Sequence, residues 1–141
     1  MVHNRDFFEK QKKHSEAKTR IVTKYFPTWA RILGRKASSL TYLDLWSGPG
    51  YFEDGKPSTP IRILGAAANL KDESLRRKLR LMFYEKDKTY AEQLKQALSE
   101  HPSFRLLENE PVVIQKEVSR EIIGELPISD STFCFIDPFG Y

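Results

Sequence analysis

Leu40-Thr41-Tyr42-Leu43-Asp44-Leu45-Trp46-Ser47-Gly48-Pro49-Gly50 decides the fold. An apolar run carries an acid near its end and then breaks into a tight loop of small residues. Parallel α/β sheets bind nucleotide-like ligands at such places, just outside the carboxyl end of a strand. A second apolar run ends the same way, in Phe133-Cys134-Phe135-Ile136-Asp137-Pro138-Phe139-Gly140. Two strand-end acids beside Gly/Pro turns point to one shared site.

Between these runs, helix and strand signals alternate. Leu40 to Trp46, Leu79 to Tyr84, Val112 to Gln115 and Thr132 to Ile136 read as strands, and Phe104 to Leu107 is a weaker candidate. Helical spacing marks Pro60 to Leu70, with Ile61, Leu64, Ala67 and Ala68 inward. It also marks Lys88 to Ser99, capped by Asp87 and striped by Ala91, Leu94 and Leu98, and Glu117 to Leu126, with Ile122, Ile123 and Leu126 inward. This β-α alternation predicts a parallel sheet with right-handed crossovers.

Ahead of the first strand, residues 5–13 carry only a weak helical signal. Ala17, Ile21, Val22, Tyr25 and Phe26 recur at helical spacing, with Ser15 as N-cap. Pro27 lacks an N–H and clashes with the preceding turn, so it predicts an end or kink there. A second short helix would start at Pro27, bury Trp29, Ile32 and Leu33, and close at Gly34. The chain divides into a basic helical N-terminal extension, residues 1–36, and an α/β domain, residues 37–141.

Charge separates the same two parts. Residues 1–36 hold ten Lys/Arg against three Asp/Glu, whereas the other 105 hold thirteen against sixteen. A basic leading segment can meet nucleic acid through phosphates, and it can equally be a solvated helix face. No apolar stretch is long enough for a membrane helix, and Met1 to Lys13 lacks a signal-peptide core. The single cysteine, Cys134, excludes an internal disulfide and reads as a small packed hydrophobe. Cytoplasmic location follows by default. The three histidines, His3, His14 and His101, show no metal-ligand spacing.

The loop after the first strand is not a phosphate loop by pattern. A P-loop needs Lys after its last Gly, and Gly50 is followed by Tyr51-Phe52. A dinucleotide fingerprint needs a third Gly, and Glu53 stands there. Ser47, Gly48 and Gly50 are small enough for a ligand to approach the backbone, and Pro49 stiffens the turn. Glu85, at the end of the second strand, can accept hydrogen bonds from both hydroxyls of a ribose. Asp137 can accept one from an amine, and Phe139 or Tyr141 can stack on a planar base. Each has a plain alternative: a ligand-free βα turn, a surface acid, a strand-terminating turn.

Together these residues resemble the class I S-adenosylmethionine-dependent methyltransferases. Asp44 to Gly50 is similar to their first motif, and Asp137-Pro138-Phe139-Gly140 to the Asp-Pro-Pro-Tyr motif of amino methyltransferases. Phe139 replaces that motif's second proline, which weighs against N-methylation of a base. A narrower resemblance is to the three-Cys-motif partner proteins, a family of predicted methyltransferases. It rests on His14-Ser15, Lys18 and Tyr25, on Tyr42 to Gly50, on Asp54-Gly55 leading to Ser58-Thr59-Pro60, and on Phe135 to Gly140.

The resemblance implies a Rossmann-like half-fold, a four-stranded parallel sheet in the order 3-2-1-4 with flanking helices. It implies S-adenosylmethionine as cofactor, held by Asp44, Ser47, Gly48, Pro49, Gly50 and Glu85. It places Asp137, Pro138 and Phe139 where methyl donor and acceptor meet. Complete members carry seven strands, so the expectation is a truncated N-terminal half, inactive alone, with acceptor unknown and nucleic acid one candidate. The last strand is apolar on both faces, so a partner or self-association is expected along its edge. The alternative is a non-enzymatic module that binds nucleic acid or protein through its basic helices.

Overall fold

In the computed structural model, residues 2–128 and 131–137 are described, with backbone alone for residues 2–5, 7, 8 and 11. The elements run α1 (Val2–Gly34), β1 (Leu40–Asp44), α2 (Thr59–Ala68), α3 (Glu73–Lys78), β2 (Leu79–Tyr84) and α4 (Lys88–Glu100). A 3-10 turn (Pro102–Leu106), β3 (Val112–Ile114), α5 (Arg120–Ile123) and β4 (Ser131–Phe135) complete the order. The four strands are all parallel in the order β3-β2-β1-β4, as expected from sequence. Asp44 lies opposite Phe83 of β2 and Phe135 of β4. The carboxyl ends of the three strands are therefore level, and the segments leaving them meet at the same edge.

The central strand β1 is buried along its whole length. One face packs on α1, α2 and α4 through Phe26, Ala30, Tyr42, Ile63, Leu64, Phe83, Leu94 and Leu98. The other has a smaller cluster of Leu43, Leu45 and Tyr84, with Val118 and Leu126 against it. Helix starts obey local chemistry. Pro60 sits in the first turn of α2, Asp72 caps α3 through the Ser74 amide, and Asp87 caps α4 through the Tyr90 amide.

Five expectations change. The N-terminal segment is one 33-residue helix, with Pro27 inside it and Ser15 buried in its interior rather than capping it. A helix-interior proline costs about 3 kcal/mol. Burying Val22, Phe26 and Ala30 on either side of it offsets that, since each large side chain contributes about 1.5–3 kcal/mol. Ile32 and Leu33 are exposed near the end of this single helix. The segment from Glu117 to Leu126 holds only the one-turn helix α5, and Ile123 faces solvent. Phe104 belongs to the 3-10 turn and not to a strand.

Cys134 is exposed rather than packed. It lies on β4, which among the described residues pairs with β1 alone and forms an edge of the sheet. The other edge is β3, three residues long, with Val112 nearly half exposed. Among the described residues, no helix is long and apolar enough to cross a membrane.

Candidate functional site at the carboxyl edge of the sheet

Three acids stand at the ends of three adjacent strands: Asp44 ends β1, Glu85 comes directly after β2, and Asp137 lies two residues past β4. All three are buried, at 1%, 1% and 6% exposure. The loop after β1 is built around them. The Leu45 amide donates to the Phe135 carbonyl and the Ser47 amide to the Tyr84 carbonyl, so the loop is stitched to both neighbouring strands. Gly48 and Gly50 adopt φ of 72° and 99°, which side-chain-bearing residues avoid. A Cβ on Gly50 would press on Leu94 and Ala97 of α4. Gly50 thus serves packing against α4, while Pro49 is only partly buried.

Glu85 faces into this loop. One carboxylate oxygen accepts the Gly48 amide at 3.1 Å and the other the Asp87 amide at 3.4 Å. The Ser47 hydroxyl donates to the Asp44 carbonyl at 3.2 Å.

Asp44 is the least satisfied group. Its Oδ1 accepts the Trp46 amide at 3.2 Å, but its Oδ2 is buried without a hydrogen-bond partner among the described residues. Burial pushes this carboxyl up from 3.8 to about 7. The bond from the Trp46 amide pulls it back in part, and the charges of Asp137 and Glu85 raise it further. A narrow cleft opens beside it, lined by Asp44, Ser47, Ser58, Thr59, Phe135 and Asp137. The Ser58 hydroxyl, 4% exposed, also lacks a partner there and makes no cap bond to α2. The cleft has a volume of about 10 Å³, so its two buried, unpartnered polar atoms would be satisfied by a water or by one polar group of a ligand reaching in.

The loop between Gly50 and Ser58 is a small hairpin. Tyr51 bridges Pro57, the Phe52 amide donates to the Lys56 carbonyl, and Asp54-Gly55 makes the turn. Helix α1 clamps it. Lys12 pairs with Asp54 at 2.7 Å, Lys56 with Glu16 at 3.5 Å, and the Thr19 and Thr59 hydroxyls share a buried hydrogen bond of 2.9 Å. Lys18 reaches Asp137 at 3.0 Å.

The structure therefore brings Asp44, Ser47, Gly48, Pro49, Gly50, Glu85 and Asp137 together. Pro138 and Phe139 lie outside the described residues. Sequence reasoning missed the cleft-lining role of Ser58 and Thr59, although Pro60 marked a helix start just after them. It also gave no sign that Lys18 would meet an acid 119 positions away. No family model, curated protein or solved structure matches the chain.

Proposed function

We propose that this chain is the cofactor-binding part of an S-adenosylmethionine-dependent methyltransferase. The observation that carries the reading is the unpartnered Asp44 Oδ2 at the meeting point of three buried strand-end acids. Such a site favours a cationic ligand, because opposite charge lowers the cost of ionising clustered carboxylates. It disfavours a phosphate, which would compete with Glu85 for the Gly48 amide and face its negative charge. The residues fit a ligand with a cationic head and a ribose. Asp44 would meet the cationic end, the Ser47 to Gly50 backbone would border it, and Glu85 would accept the ribose hydroxyls.

The cofactor would supply a methyl group already activated by its sulfonium. The protein's share is positioning, which can contribute several kcal/mol to lowering the barrier. Asp137 would take the acceptor's proton, its carboxylate oriented by the ion pair with Lys18. A cytoplasmic setting goes with this reading.

Calorimetric titration with S-adenosylmethionine tests it, with ATP as the anionic control. Heat and a thermal shift with the first ligand, absent with ATP and lost in Asp44→Asn, are expected. No heat and no thermal shift at millimolar S-adenosylmethionine, on folded protein, would overturn it.

A further inference from the structure

Lys13, Arg20, Lys24 and Arg31 are spaced seven, four and seven residues apart on α1. At 3.6 residues per turn they form a row along one helix face, about 27 Å long at 1.5 Å per residue. All four are exposed, and no ion pair joins any of them to a carboxylate among the described residues. Residues 17–36 contain six cations and no acid. Lys12, by contrast, is tied to Asp54 and stands outside this row.

A second row runs directly beside the first. Ile21, Tyr25 and Ile32 each come one position after one of the cations, and they are 55%, 62% and 66% exposed. With Trp29 and with Phe133 of β4 they line an apolar groove of about 450 Å³. The groove is shallow and is walled on one side by Phe133 of β4, whereas a helix that lies on a bilayer offers a free apolar face. A second copy of the chain would bring two uncompensated cation rows together across a two-fold axis. The charge instead calls for a polyanion with flat apolar groups along it.

We propose that α1 and β4 form a docking cleft for single-stranded nucleic acid, with phosphates on the cation row and unstacked bases in the groove against Tyr25. Sequence-tolerant single-strand binding uses this combination of a basic track and aromatic platforms. Phe133 in the groove and Asp137 in the candidate site are four residues apart, about 13 Å along an extended strand. A bound strand would thus lie close to Asp137, which makes it a candidate methyl acceptor. Docking itself does not depend on the cofactor reading and is measured without cofactor, so the two can fail separately.

The test is fluorescence anisotropy of the full chain with labelled oligo(U) and oligo(dT) of about twelve nucleotides. Binding should weaken with salt, with a log–log slope of about −2 to −3, as three or four phosphate contacts at about 0.7 each require. The triple variant Arg20→Gln, Lys24→Gln, Arg31→Gln should bind at least roughly tenfold more weakly, with the slope flattened by about 2. Tyr25→Ala should weaken binding roughly tenfold and leave the slope unchanged, because stacking releases no counterions. All four positions are exposed, so the variants should keep the native circular dichroism. No binding by folded protein at about 50 mM salt would overturn the proposal. So would a slope unmoved by the triple variant, a preference for duplex, or a dimer through this groove that excess oligo(U) does not dissociate.

Discussion

The Lys18 ammonium lies 3.0 Å from the Asp137 carboxylate, joining the N-terminal helix to the end of the last strand. Asp137 is 6% exposed while Lys18 is about half exposed, so the pair is neither a surface contact nor a fully buried one. Removing the cation leaves a nearly buried carboxylate uncompensated. Lys18→Met should cost about 1–2 kcal/mol, a few degrees in Tm, between the usual surface and buried cases. In an Asp137→Asn background the same change should cost much less. A thermal double-mutant cycle measures this coupling, and additive effects would show that the pair is energetically idle.

Asp44 makes stability depend on pH in an unusual direction. Its folded value of about 7 lies above its ordinary 3.8, so the folded chain holds a proton that the unfolded chain has released. Between these values the unfolded state binds fewer protons, and stability falls as pH rises. The penalty is absent below about pH 4 and complete above about pH 7, at a ceiling of roughly 4 kcal/mol. Asp44→Asn should therefore stabilise the chain at pH 8 and change little at pH 4. Urea titrations at the two values check it, and equal effects at both would rule out the raised carboxyl.

Gly50 and Gly55 allow a comparison within one loop. Both have positive φ, at 99° and 83°. A Cβ at Gly50 would stand 3.2 Å from Leu94 and 3.3 Å from Ala97, whereas at Gly55 it meets nothing within 4 Å. Gly55→Ala should cost only the backbone term, about 1–2 kcal/mol. Gly50→Ala adds crowding against α4 and should cost about 1–2 kcal/mol more. Chemical denaturation of the two variants reads the difference directly, and equal losses would mean that α4 yields freely.

The sheet was legible because its signals are local. Leu79 to Tyr84 is an apolar run ended by a charged turn, and Asp87 marks the start of the helix after it. The strand-end acids were legible for the same reason, since a parallel sheet brings the ends of its strands to one edge. The features that escaped were set by long-range packing. Nothing near Ile123 indicates that its helix ends after one turn and gives way to turns. Cys134 is apolar enough to be buried, but among the described residues it sits exposed on an edge strand. Lys18 reads as one more surface cation until α1 is laid along the site.

Pro27 is where local propensity and packing disagree most directly. It cannot donate to the Thr23 carbonyl, yet α1 continues through it to Gly34. Phe26 and Ala30 are fully buried on either side, and the Phe26 ring meets Trp29 and Tyr42 at 5.7 Å each. Packing therefore holds a helix that its own backbone disfavours. Pro27→Ala should restore the missing hydrogen bond and remove the ring clash. Because the proline is only partly buried, little packing is lost. The variant should be more stable by about 1–3 kcal/mol, as part of the usual proline cost is recovered. Hydrogen exchange should show increased amide protection on both sides of position 27. A variant less stable than the parent would mean that the proline ring itself packs productively, and that α1 is bent there to fit the sheet.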